Sequence, residues 1–148
     1  IVYEWNPSSP SFKSRYIYRR SKELPERKSR QNSESHVQRA ISIVEDFYGR
    51  DLTVQYIADK LGLNRSYLSE IFSKQMGVPL KKYILDFRIT QSEEFFSTSD
   101  WSVDYISQIC GFNSPSYFSK IFKEYHGISP TEYRKSRHKR EHQTVLVK

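Results

Sequence analysis

Apolar residues recur at intervals of three and four along most of this chain, the period of amphipathic helices. Val37, Ala40, Ile41, Val44 and Phe47-Tyr48 form a first stripe, opened by Ser35 and Gln38 at capping-box spacing and closed by Gly49. Thr53 can cap a second helix with Val54, Ile57, Ala58 and Leu61 inward, stopped by Gly62. Asn64 can cap a third, carrying Leu68, Ile71 and Phe72 and ending at Gly77. Pro79 suits the first turn of a fourth, which runs to about Ser97 with Leu80, Tyr83-Ile84, Phe87 and Phe95-Phe96 as core positions. Ser102 can cap a fifth with Val103, Ile106 and Ile109, stopping at Gly111. Ser114-Pro115 opens a sixth with Phe118, Ile121 and Phe122, stopping at Gly127. Ser129-Pro130-Thr131-Glu132 reads as a capping box with proline at the first helical position, and starts a seventh. The pattern predicts an all-α fold.

The stretch 25–34 has no apolar residue and reads as a linker. Upstream, Ser11 to Leu24 reads as a short helix with Phe12, Tyr16 and Ile17, after the turn-like Asn6-Pro7-Ser8-Ser9-Pro10. Residues 1–24 are expected to be the remnant of a preceding domain. The chain lacks an initiator Met and is read as a fragment or a processed product. The folded part is expected at 35–137, with 138–148 as a basic tail.

The second and third helices repeat in the fifth and sixth. At an offset of 49, Val54, Tyr56, Ile57, Gly62 and Asn64 match Val103, Tyr105, Ile106, Gly111 and Asn113. One residue is inserted in the turn, and the offset becomes 50. Tyr67, Ser69, Ile71, Phe72, Gly77 and Tyr83 then match Tyr117, Ser119, Ile121, Phe122, Gly127 and Tyr133. Each unit is a short helix, a glycine turn and a second helix. This is the helix-turn-helix pattern, whose second helix enters a DNA major groove. An ordinary pair of helical hairpins gives the same pattern once. A solenoid would show three or more units, whereas here two are joined by a long helix.

Charge changes this picture less than its total suggests. The 148 residues hold 24 Lys+Arg and 17 Asp+Glu, a formal +7. Residues 1–30 carry eight basic and three acidic groups, 31–134 eleven and thirteen, 135–148 five and one. The excess lies wholly in the two ends, where solvated tails explain it as well as a nucleic-acid partner does. A single cysteine cannot form an internal disulfide and fits a reducing compartment. No apolar run approaches the roughly 18 residues of a membrane span, and the start is no signal peptide.

The stretch Gly111-Phe112-Asn113-Ser114-Pro115-Ser116-Tyr117-Phe118-Ser119-Lys120-Ile121-Phe122-Lys123-Glu124-Tyr125-His126-Gly127-Ile128-Ser129-Pro130-Thr131-Glu132-Tyr133-Arg134 resembles the signature of the AraC/XylS family of bacterial transcription regulators. Ile57-Ala58, Leu61-Gly62-Leu63, Tyr67-Leu68-Ser69 and Ile71-Phe72 fit its first unit. Pro79 and Ser92 depart from the usual Ser and Ala and are expected to be harmless. The resemblance covers about residues 35–137. It implies seven helices in two homeodomain-like helix-turn-helix subdomains joined by a connecting helix. It implies a cytoplasmic, sequence-specific regulator of transcription, an activator, working on double-stranded DNA and RNA polymerase without a cofactor. It also implies an N-terminal domain, outside this chain, that binds a small-molecule effector and forms a homodimer.

The reading helices are then about 64–76 and 114–126. With Leu68, Ile71 and Phe72 inward, the first offers Arg65, Ser66, Ser69, Glu70, Ser73 and Lys74. With Phe118, Ile121 and Phe122 inward, the second offers Ser114, Ser116, Ser119, Lys120 and Lys123. By resemblance, Ser66/Ser116, Ser69/Ser119 and Glu70/Lys120 are the main base-reading pairs. Lys120 can contact guanine, and Glu70 can accept from cytosine N4. Thr53, Ser102, Asn113 and Ser114 stand at helix N-termini, where capping and a nearby phosphate are both open. Tyr67 and Tyr117 can touch DNA backbone, but packing into the core is at least as good a reading. A connecting helix of 19 residues spans about 28 Å, close to one DNA turn.

Three rival readings remain at this point. Cys110 is expected to be a small core residue rather than a nucleophile, and no Ser-His-Asp set or phosphate-cradling loop appears. His138 and His142 have metal-ligand spacing but no third ligand and lie in the basic tail. A helical protein-interaction module is the second rival. A repair or recombination module is the third, and the absence of a cysteine-rich methyl-acceptor segment argues against the repair version.

Overall fold

Five of the described helix starts carry a side-chain cap. The protein, here a computed structural model, is described over residues 29–146. Among the described residues there are seven helices and no strands: α1 (Ser29–Phe47), α2 (Val54–Leu61), α3 (Arg65–Met76), α4 (Leu80–Thr98), α5 (Val103–Ile109), α6 (Pro115–His126) and α7 (Pro130–Leu146). Thr53 Oγ1 accepts from the Tyr56 N–H at 3.1 Å, and Asn64 Oδ1 from those of Ser66 and Tyr67 at 2.8 and 3.4 Å. Ser102 and Ser114 accept from the N–H groups of Tyr105 and Tyr117, each at 3.1 Å. Ser129 and Glu132 form the reciprocal box at the head of α7, at 2.9 and 3.2 Å. The Ser129 bonds hold the Glu132 carboxyl below its usual range. Each such cap supplies a partner for an N–H that the helix itself leaves unpaired.

Two expected boundaries move. α1 begins at Ser29, so the described part of the expected linker 25–34 is helical and the Ser35–Gln38 box is not its start. No Gly or Pro lies between Ser29 and Val37, so nothing stops the helix from propagating backwards. Ser33 is also tied down, accepting from Gln75 Nε2 of α3 at 2.9 Å. At the other end α7 runs on to Leu146, so the described part of the expected tail 138–148 is helix. The expected remnant 1–24 lies outside the described residues.

The helices enclose two apolar cores that share α4. Val37, Ala40 and Val44 of α1, Ile57 and Leu61 of α2, and Leu68 and Phe72 of α3 form the first. Leu80, Tyr83, Ile84 and Phe87, the first half of α4, complete it. Ile89 and Phe96, from its second half, join Ile106, Cys110, Phe112, Phe118, Ile121 and Phe122 in the other. Phe96, Phe118, Phe122 and Tyr133 meet with ring centroids 5.2–6.3 Å apart. Fully burying each such side chain contributes about 1.5–3 kcal/mol. Ser92, at the departure from the family pattern, is fully buried, and its hydroxyl donates to the Ile89 carbonyl. That bond satisfies the group without an external partner.

Both helix-turn-helix turns contain a glycine in the left-handed region, Gly62 at φ +66° and Gly111 at φ +87°. Their surroundings differ. A Cβ on Gly62 would meet open space, whereas one on Gly111 would lie 2.3 Å from the Tyr48 carbonyl oxygen. Gly62→Ala therefore costs only the backbone strain, about 1–2 kcal/mol. Gly111→Ala adds a backbone clash, for a total of about 3 kcal/mol or more. At about 4 °C per kcal/mol for a domain of this size, thermal unfolding by circular dichroism should separate the two by several degrees, with Gly111→Ala lower. Equal melting temperatures would refute the close approach at Gly111.

Candidate nucleic-acid interface

Each helix-turn-helix unit turns a polar face outward because its apolar face is used up. In α3, Leu68, Ile71, Phe72 and Met76 are buried. Arg65, Ser66, Glu70 and Lys74 are exposed, and Ser69 and Ser73 are half-buried at the edges of the stripe. In α6, Phe118, Ile121 and Phe122 are buried, Ser116, Lys120 and Lys123 are exposed, and Ser119 is half-buried. The two faces match position for position at the repeat offset of 50. The expected site residues of each unit thus lie together on one side of one helix.

The inserted residue decides the cap of the second unit. Asn113 matches Asn64 in the repeat, but Ser114 is the residue that caps α6. Asn113 therefore precedes the cap, one place further from the helix than expected. Thr53 and Ser102 are caps as expected, and both are exposed.

Four tyrosines form a set that the helical stripes hide. Tyr56, Tyr67, Tyr105 and Tyr117 are 37–48% exposed. Of the two readings open for Tyr67 and Tyr117, full burial in the core does not hold, although the Tyr117 ring lies 6.1 Å from that of Phe112. Each stands third in its helix, and its own N–H is the one the cap side chain accepts. A residue there leaves the core face while the next one, Ile57, Leu68, Ile106 or Phe118, enters it. Tyr56 and Tyr105 were visible in the sequence as a matched pair off the apolar stripe. That signal marks a shared outward position rather than a core one.

Other polar groups are engaged inside the fold. Arg134 donates to the Trp101 carbonyl and lies 5.0 Å from the centre of the Phe96 ring. Arg137 donates to Ser97 Oγ at 2.7 Å and to the Tyr133 hydroxyl at 2.6 Å. His126 Nε2 lies 2.8 Å from the Glu93 carboxylate, close enough for an ion pair but outside good hydrogen-bond alignment. Burial pushes the Glu93 carboxyl up and His126 opposes it. Cys110 is fully buried, and burial raises its thiol to about 12, as a core residue rather than a nucleophile. Among the described residues no group of three His, Cys, Asp or Glu is placed to hold a metal. No described helix is long and apolar enough to cross a membrane.

This geometry matches known proteins. The family model of a helix-turn-helix domain matches residues 57–136. The Msm operon regulatory protein of Streptococcus mutans is 38% identical over 107 residues, 72% of this chain and 38% of its own length. This chain thus spans under two fifths of that relative. The C-terminal domain of the two-component response regulator yesN from Fusobacterium nucleatum is 31% identical, with a TM-score of 0.64 over 70% of this chain and 98% of that one. The DNA-binding domain of AdpA, a global transcriptional factor solved in complex with a target DNA, is 25% identical. Its TM-score is 0.68, over 72% of this chain and 96% of that one. With two helix-turn-helix units on one connecting helix, the chain belongs to the AraC/XylS family of transcription regulators and carries its DNA-binding domain.

Proposed function

We propose that this chain reads double-stranded DNA by setting α3 and α6 into successive major grooves, as the DNA-binding part of a transcription activator. The carrying observation is the duplicated face: two capped helices with matching exposed polar positions, joined by one helix of about 28 Å. Lys120 and Arg65 are long donors suited to guanine or phosphate. Ser66, Ser69, Ser116 and Ser119 are short and read through close approach or water. Glu70 accepts from cytosine. Ser73, Ser114, Lys74 and Lys123 border these groups, with Thr53, Ser102 and Asn113 near the phosphates. Exposed Tyr67 and Tyr117, at the heads of α3 and α6, add hydroxyls suited to backbone oxygens. Because the two units run in tandem, the half-sites need not be palindromic. The proposal extends to RNA polymerase contact, a homodimer, an effector bound outside this chain and a cytoplasmic setting, each supported by the family resemblance alone.

Selection of bound duplexes from a random pool tests this reading. A bipartite, non-palindromic consensus with half-sites about one turn apart is expected; no enrichment would overturn it. On the selected duplex, Lys120→Ala and Arg65→Ala should each weaken binding by roughly 1–3 kcal/mol in gel shift and leave the melting temperature unchanged. Wild-type affinity would remove that residue from the interface.

Deletion of residues 138–148 should lower affinity for unrelated duplex and flatten the salt dependence, while the selected consensus stays the same. A changed consensus would place base reading in that segment.

A further inference from the structure

Two sets of contacts cross between the helix-turn-helix units. The first lies where the turns after α1 and α5 meet. Arg88 of α4 donates from Nε to the Tyr48 carbonyl and from Nη2 to the Arg50 carbonyl, both at 2.9 Å. The end of α5 presses on the same turn. A Cβ on Gly111 would come within 2.8 Å of Arg88 Nε, and one on Gly49 within 2.5 Å of the Ile109 carbonyl oxygen. Backbone of one unit thus rests on backbone of the other.

The second set is polar. Lys82 Nζ lies 2.7 Å from Asp86 Oδ1 and 2.8 Å from the Tyr125 hydroxyl oxygen, and 4.8 Å from the centre of the Tyr125 ring. The Tyr125 hydroxyl donates to the same Asp86 oxygen. Lys82 and Asp86 lie in the half of α4 that builds the first core, whereas Tyr125 belongs to α6 and packs on the second. Burial, with the Asp86 bond, pushes the Tyr125 hydroxyl up to about 12, so it keeps its proton to donate. Burial works against the Lys82 charge, but its bonds to Asp86 and Tyr125 outweigh this and hold the ammonium above its usual range.

Asp86 and Arg88 are two residues apart, about 200° around the helix. The two sets therefore grip α4 from nearly opposite sides. Both units are already packed on α4 through their apolar cores, and a single added polar contact restrains the second unit in one direction only. Two on opposite sides resist both rocking and rotation about the helix axis.

We propose that the Lys82–Asp86–Tyr125 network is a positioning device that fixes α6 relative to α3, so that the protein selects DNA by the number of base pairs between its half-sites. The proposal rests on the DNA reading above. One added base pair moves a half-site by about 3.4 Å and turns it by about 35°. A rigid pair of reading helices cannot follow that change unless the DNA deforms; a loosened pair can.

The test uses Tyr125→Phe, which keeps the ring in the core, and Asp86→Asn. The probes are the duplex enriched by the wild-type chain and two derivatives with one base pair inserted or removed between the half-sites. The wild type should lose about tenfold or more on either derivative, the scale of DNA deformation costs. Both variants should lose markedly less, whatever their affinity for the parent duplex. The ratio is read in variants whose thermal unfolding by circular dichroism matches the wild type, since a general loss of fold would weaken all three complexes alike. An unchanged ratio in the variants, or no spacing penalty in the wild type, overturns the proposal. Spin labels at Lys74→Cys and Lys123→Cys provide a readout without DNA, the buried Cys110 being left unlabelled. Their distance distribution in the free protein should broaden in Tyr125→Phe, and an unchanged distribution overturns the network's role. If the random pool enriches nothing, the DNA reading fails and the label distances alone decide the network.

Discussion

Everything in this domain depends on α4 serving two cores at once. Its first half gives Leu80, Tyr83, Ile84 and Phe87 to one unit, and its second half gives Ile89 and Phe96 to the other. A helix wrapped from several sides cannot be simply amphipathic. The row Thr90, Gln91, Ser92 and Glu93 is accordingly buried despite its polarity. These groups are satisfied within reach. The Thr90 and Ser92 hydroxyls donate to the carbonyls of Asp86 and Ile89 on the same helix. Gln91 accepts from Tyr48 at 3.4 Å, and Glu93 faces His126. A buried hydroxyl that bonds its own helix needs no partner from either unit.

The helices and most of their ends were legible in the sequence because their signals are local. Thr53, Asn64, Ser102 and Ser114 each cap a helix whose apolar stripe begins within a few residues. Where a stop signal was inferred from composition alone, the reading failed. The segment around Ser33 has no apolar residue, yet nothing in it breaks a helix, and its tie to Gln75 joins residues 42 apart. Ser114 caps α6 as its Ser-Pro pair suggested, and Asn113, which the repeat pairs with Asn64, stands one residue outside because an inserted residue breaks the repeat inside the turn. The exposed tyrosines were paired by the repeat, but their side was left open for Tyr67 and Tyr117, since identity marks a position without giving its direction. The contacts of Lys82 with Tyr125 and of Arg88 with Tyr48 span about forty residues and leave no periodic trace. They could be found only in three dimensions.

The charge distribution sharpens what those contacts do. Residues 31–134 carry two more acidic than basic groups, and Lys82, Arg88 and Arg134 are engaged within the fold. On the reading helices themselves the cations are Arg65, Lys74, Lys120 and Lys123. With so few charges per unit, one unit alone has little phosphate attraction to hold it on a duplex. Tight binding then requires both units to engage together. The second engagement is intramolecular, and its effective concentration depends on how well the joint matches the span between half-sites. A flexible joint spreads that concentration over many spacings. A shaft gripped from two sides concentrates it at one and lowers it steeply elsewhere. On the proposed reading, with exposed faces rich in short serines, rigidity between the units supplies discrimination that the individual side chains supply weakly.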